Sequence, residues 1–162
     1  MGREIKNITA AIDRGAFLRF NVVMGDRDQM GGLNVGEVYS WEQVSLIHPV
    51  RNGICQRNGR LVSLLTDFGR INPCYPDFHG ATTDTIHYTG SGRRGNQKLD
   101  VKNRSLLDAI GSGHSVPLFN KLGVNRWEFL GRWRVTDGGY IFDENACRMV
   151  WKFTLHRDHL VG

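Results

Sequence analysis

The sequence predicts a mainly β domain of the α+β class, with mostly antiparallel strands flanked by short helices and curved into a twisted barrel. Three observations predict it. Twenty glycines stand against four prolines in 162 residues, a composition suited to many tight turns. Two long amphipathic segments, Trp127–Val135 and Cys147–Leu155, alternate apolar and polar residues as strands do. Only two internal stretches carry helical periodicity, and both are short.

The elements follow in chain order. Ile5, Ile8 and Ile12 recur at helical spacing before Gly15 and predict a helix over 4–14. Phe17–Met24 reads as a strand and Gly25–Gly32 as a loop. Val35–Tyr39 is a short strand, and Ser40 with Gln43 three residues on forms a capping box that opens a short helix. His48–Gly59 is rich in Asn, Gly and Arg and reads as a long loop. Arg60–Asp67 is an apolar strand, and Gly69–Thr83 a second long loop. Loops of that length in a small domain usually carry function. Asp84–Thr89 alternates as a strand and runs into the basic turn TGSGRRGN. Gln97–Ile110 sets Leu99, Leu106, Leu107 and Ile110 on one helical face, with Gly111 as the stop and Lys98 and Lys102 on the wet face. Ser115–Phe119 is a strand. In Trp127–Val135, Gly131 suits a bulge, and Asp137-Gly138-Gly139 is expected to turn the chain into Cys147–Leu155. On this pattern Trp127, Trp133 and Trp151 belong to the core.

Composition narrows the function. Lys and Arg number 21 against 16 Asp and Glu, a net charge of +5. Five of those cations (Arg93, Arg94, Lys98, Lys102, Arg104) fall within residues 85–104, where Asp100 is the one acid. Such a patch attracts polyanions, nucleic acid first among them, or is a solvated helix face. Three scattered cysteines make neither a disulfide framework nor a zinc knuckle, which favours reduced thiols and a cytoplasmic setting. No apolar run suits a membrane span, and the N-terminal residues lack the apolar region of a signal peptide. His156-Arg157-Asp158-His159 lacks a further ligand for a metal. Paired carboxylates with lysine, H-x-E with C-x-x-C, and a His-Asn-His finger are all missing from the sequence, so the chain is read as lacking a nuclease motif, with no catalytic residue, metal or cofactor.

The segment IHYTGSGRRGNQKLDVKNRSLL, residues 86–107, resembles the Y-T-G-x-G…G-x-Q…N-R-x-L signature of the SRA (YDG) domain. VGEVY and HPVRNGI upstream, and SVPLF, WEFLGRWRV and MVWKFTL downstream, extend the likeness over 32–157. The likeness is greatest to the bacterial branch fused to HNH nucleases. It leaves 1–31 as an N-terminal extension and 158–162 as a tail. The resemblance implies an SRA/PUA-like barrel that reads modified cytosine in double-stranded DNA, 5-methylcytosine or 5-hydroxymethylcytosine, by flipping the base into an aromatic pocket. It implies a reader fused to, or working with, an HNH-type endonuclease in a bacterial restriction system, acting at the nucleoid. A PUA-like RNA-binding module is the alternative.

The resemblance also assigns residues. Tyr88 and Tyr75 would wall the flipped base, with Phe78 as the rival to Tyr75. Asp77 would accept from the cytosine 4-amino group, since a carboxylate only accepts. Thr89 and Gly90 would offer backbone groups near O2 and the methyl. Ser91, Arg93, Arg94, Asn96, Gln97, Lys98, Lys102 and Arg104 would meet the DNA backbone or groove. The long basic finger of eukaryotic relatives is reduced here to Arg93–Asn96, so their CpG context does not carry over. The loops 25–32 and 48–59 would enter the groove instead, with Arg51, Asn52, Gln56 and Arg57 as contacts. From the residues alone, Tyr88 is also a core candidate, and Asp77 a turn former.

Overall fold

The computed structural model describes residues 32–159; the expected helix over 4–14, the strand over 17–24, nearly all of the 25–32 loop and the end of the tail lie outside them. Residues 38–158 form one compact unit. The remaining described residues, 32–37 and 159, belong to a second unit, whose described part contains a turn in which Glu37 N–H donates to Asn34 O (3.1 Å).

The compact unit holds β1 (Val38–Tyr39), α1 (Trp41–Val44), β2 (Ile54–Arg57), β3 (Arg60–Thr66), β4 (Phe78–His79), β5 (Thr85–Thr89), α2 (Val101–Ser112), β6 (Ser115–Gly123), β7 (Arg126–Asp143) and β8 (Arg148–Arg157). The strands make one sheet in the order β2-β3-β6-β7-β8-β5-β4, with β1 also paired to β7. Every pairing is antiparallel except β3 with β6. The mainly β α+β class therefore holds. The sheet is twisted but open, because β2 and β4 end the path without pairing to each other.

Ser40 caps α1 with the predicted capping box, its hydroxyl accepting from Gln43 N–H. Leu106 and Ala109 of helix α2 join Leu64, Ile86, Leu118, Trp133, Phe153 and Leu155 in one buried core cluster. Full burial of a leucine such as Leu106 stabilises by about 1.5–3 kcal/mol. Gly131 has a positive φ of 92°, and beside it the β6–β7 register shifts, as a bulge requires.

The structure corrects four local expectations. The 48–59 stretch is not all loop: Ile54–Arg57 is a strand, hairpinned to β3 through Asn58 and Gly59, both at positive φ. This Asn-Gly pair is the turn signal the loop reading passed over. Helix α2 starts after Asp100, which accepts from Asn103 N–H, and ends at Gly113 rather than Gly111. Gln97, Lys98 and Leu99 therefore precede the helix. Strand β6 runs on to Gly123.

Last, Asp137-Gly138-Gly139 does not turn. Strand β7 passes straight through it to Asp143, with the register shift beside Val135 marking a second bulge. The chain reverses at 144–147 instead, where Cys147 has φ 53° and is exposed. Gly138 is glycine for space: a Cβ there would stand 2.7 Å from the Phe153 ring. Gly139 has open space around it. Gly138→Ala should therefore destabilise the domain by about 1–3 kcal/mol in urea titrations, by overpacking, while Gly139→Ala stays within about 0.5 kcal/mol of the parent. Equal effects of the two would remove the packing explanation.

Candidate nucleic-acid interface

A cavity of about 390 Å³, within the range of ligand sites, opens beside the ends of β3 and β5. The Arg51–Ile54 segment, the ends of β3 and β5, the 67–77 segment, Arg93 and Lys102 line it, with Lys121 and Trp127 from β6 and β7.

The 67–77 segment is irregular but ordered by its own polar groups. Asp67 accepts from Gly69 N–H and Asn72 N–H, both at 2.8 Å, which shapes the turn. Arg148 on β8 donates to Cys74 O (3.0 Å), and also to Gly92 O (2.6 Å) and Gly95 O (3.1 Å). One buried guanidinium thus ties the cavity segment to the basic loop.

At the end of that segment Asp77 is 5% exposed. Its Oδ2 accepts from the Thr66 hydroxyl and its Oδ1 from Thr89 N–H, both at 2.6 Å. Burial pushes its carboxyl up to about 7, against the hydrogen bonds of Thr66 and Thr89 and the charge of Lys152, which hold it down. Tyr75 is half-buried on the cavity. Tyr88 borders the cavity but is 3% exposed and joins the core cluster. Its hydroxyl donates to Leu65 O (2.8 Å) and lies 3.1 Å from Gly53 O. Burial, and then the nearby carboxylate of Asp77, push its phenol further up. Phe78 faces away from the cavity, against His87 and Lys152. Of the two rival aromatics, Tyr75 is the one on the cavity.

Thr89 and Gly90 line the cavity, but their amides are committed, to Asp77 and to Trp151 O (2.8 Å). Gly90 has no room for a side chain, since a Cβ would meet Asn103 Oδ1 at 2.5 Å. Gln97 is a brace: its Nε2 donates to Gly90 O (2.8 Å) and Gly92 O (3.1 Å), and its Oε1 accepts from Trp151 N–H (2.7 Å). Asn103 does the same for Ser91, bonding both its N–H and its C=O. Asn96 accepts from Met149 N–H. The Q and N of the signature thus hold the loop.

Arg51, Asn52, Ser91, Arg93 and Lys102 all line the cavity. Arg94, Lys98 and Arg104 are exposed but do not line it, and Gln56 and Arg57 sit on the β2–β3 hairpin, also away from it. Lys121, over the Trp127 ring at 5.5 Å, and Thr66, Arg148 and Lys152 were not among the expected site residues. Trp127 is buried as expected, yet also lines the cavity and packs on Trp41, whose ring Arg51 covers at 4.6 Å. The missed signal in β8 is Val150, buried between Arg148 and Lys152, which marks that face as covered.

The ScoMcrA-like SRA domain model matches residues 49–157. The chain belongs to this SRA family. It superposes on the SRA domain of SUVH5 in complex with hemimethylated CG DNA, with TM-score 0.67 and 23% identity over 81% of this chain and 92% of that one. The SUVH5 domain bound to fully hydroxymethylated CG DNA gives TM-score 0.64 and 21% identity over 82% and 94%. The modification-dependent TagI restriction endonuclease gives TM-score 0.67 and 21% identity over 80% of this chain and 51% of that one. No curated protein matches the chain. Among the described residues no helix is long and apolar enough to cross a membrane, and no cluster of three metal-ligating side chains occurs.

His48 fixes the rim of the SRA cavity. It is buried, and burial lowers it to about 4, so it is neutral. Its Nε2 faces the Asn52 carbonyl at 2.7 Å and must donate, so Nδ1 accepts from the Ser63 hydroxyl at 2.7 Å. Between pH 6.5 and about 4 the unfolded chain takes up a proton at this site and the folded one does not. Acid therefore favours unfolding in that window, whereas Asp77, raised rather than lowered, works the other way between its ordinary value and about 7. The stability of the parent relative to His48→Gln should accordingly fall by about 3 kcal/mol between pH 7 and 4 in denaturant titrations. Parallel curves would contradict a neutral, buried His48.

Proposed function

We propose that this domain reads modified cytosine in double-stranded DNA, with the base flipped into the cavity and the cavity's basic rim on the backbone. The observation that carries the proposal is Asp77, a buried acceptor at a cavity whose other charged lining is Arg51, Arg93, Lys102, Lys121 and Asp67. A cytosine 4-amino group is a donor that a carboxylate satisfies. Flipping costs a few kcal/mol. Stacking on Tyr75, with Tyr88 beneath, offsets about 1–3 kcal/mol of that. The methyl adds about 0.8 kcal/mol by burial, a factor of about four. Phosphate contacts by the rim supply the rest without regard to sequence. Arg94, Lys98 and Arg104 extend the same positive face. The domain itself acts as a reader, working with an HNH-type nuclease in a cytoplasmic bacterial restriction system. The neighbours solved with methylated or hydroxymethylated DNA support this reading, as does TagI.

Fluorescence anisotropy on one duplex carrying C, 5-methyl-C, 5-hydroxymethyl-C or 6-methyl-A at a single position tests the proposal. The two modified cytosines should bind tightest. Asp77→Asn should weaken their binding by about 1–3 kcal/mol, toward the level of the unmodified duplex. Equal binding of all four duplexes, or tighter binding of single-stranded RNA, would overturn it.

A further inference from the structure

Lys152 lies behind Thr89 rather than in the cavity. Its Nζ donates to Thr89 Oγ1 at 2.6 Å and to Pro76 O at 3.3 Å, under the Phe78 ring at 5.2 Å. An ammonium has only donors. Thr89 Oγ1 must therefore accept from Lys152, which turns its own hydrogen away from the ammonium, and the hydroxyl favours the ionised form of Asp77. Thr66 is arranged the same way. Its oxygen accepts from Phe68 N–H (3.0 Å), so its hydrogen goes to Asp77 Oδ2. Thr89 N–H completes the set on Oδ1. The protein groups bonded to Asp77 are thus donors: the Thr66 hydroxyl is held in that role by Phe68 N–H, and Lys152 holds the side chain of Thr89, whose N–H is the other donor.

We propose that Lys152 determines which base the cavity reads, acting through Thr89 to keep Asp77 an acceptor; this rests on the reader function above. As a carboxylate, Asp77 takes a hydrogen bond from the 4-amino group of 5-methylcytosine. As an acid it would instead donate to the 4-oxo group of thymine, which has the same ring and the same methyl. The two bases differ at the atom facing Asp77, so the protonation of one carboxyl decides between them. Burial alone drives Asp77 toward the acid. The titratable and charged groups that share the cavity with Asp77 are Asp67, Tyr75 and Tyr88 and, as cations, Arg51, Arg93, Lys102 and Lys121; Lys152, outside the cavity, is the cation whose charge holds Asp77 down. Burial pulls Lys152 down, and the charges of Asp77 and then Asp143 work against that. Lys152 is a positioning residue, since it acts on the base only through Thr89 and Asp77.

The test compares 5-methylcytosine with thymine, each opposite an abasic site so that pairing costs are the same. At about pH 8 the parent chain should prefer 5-methylcytosine. Lys152→Met should cut that preference about tenfold for each unit by which the Asp77 titration rises, and raising the pH should restore it. Thr89→Val, which removes the hydroxyl, should do the same. Carboxyl ¹³C NMR should locate the Asp77 midpoint higher in both variants. If Lys152→Met keeps the parental ratio and midpoint, the proposal is wrong. Should that variant fail to fold, the parent decides alone: its preference must fall as pH drops from about 8 to 6, and a flat profile would overturn the inference. A parent that does not prefer modified to plain cytosine refutes the reader function instead.

Discussion

The buried carboxylate of Asp77 is the constraint on which the cavity depends. It joins the end of β3 through Thr66, the end of β5 through Thr89, and the irregular segment that carries Tyr75. These two strands do not pair with each other in the sheet, whose order puts β6, β7 and β8 between them. The gap between them is where the cavity forms, and Asp77 spans it. Tyr88 makes a second crossing nearby, its hydroxyl against Leu65 O of β3 and Gly53 O. An uncompensated buried charge would be destabilising. Here donors surround it, with Phe68 N–H behind the Thr66 hydroxyl and Lys152 behind Thr89.

The same logic runs outward from the cavity. The basic loop has little apolar content to hold it, so polar side chains fasten it from inside. Gln97, Asn103 and Arg148 bond the loop's carbonyls and amides, leaving Arg93 and Arg94 exposed. The 67–77 segment is fastened by Arg148 and Lys152 from β8. Strand β8 thus supports both walls of the cavity on one face while Phe153 and Leu155 build the core on the other. A rigid strand beneath two loops lets irregular backbone hold a fixed shape.

Where side-chain alternation and capping decide an element, the sequence was legible: β3, β5, the capping box of α1 and the bulge at Gly131 all follow from local chemistry. Asp137-Gly138-Gly139 was not, because its composition fits a turn while the real reason for Gly138 is the ring of Phe153, close only once the sheet has formed. The Y-T-G…Q…N-R signature covers Tyr88, Thr89, Arg93 and Lys102, which line one cavity together with Asp77 and Tyr75. It did not separate contact from brace. Gln97 and Asn96 look like groove residues in sequence, yet their side-chain oxygens accept from the backbone of β8. Lys152 and Arg148 were hidden for the converse reason: charged residues alternating with apolar ones read as a wet face, and the segment that covers them is some 75 residues away in the chain.

The central claim is that a base leaves the duplex and enters the cavity. It is tested most directly by the fluorescence of 2-aminopurine placed in the partner strand opposite the modified cytosine, where stacking quenches it and loss of its partner releases it. The account predicts a rise on binding that needs the modified base, survives Tyr88→Phe and is lost with Tyr75→Ala, while salt-sensitive binding to plain duplex persists. Tight binding of the modified duplex with no change in fluorescence would contradict it.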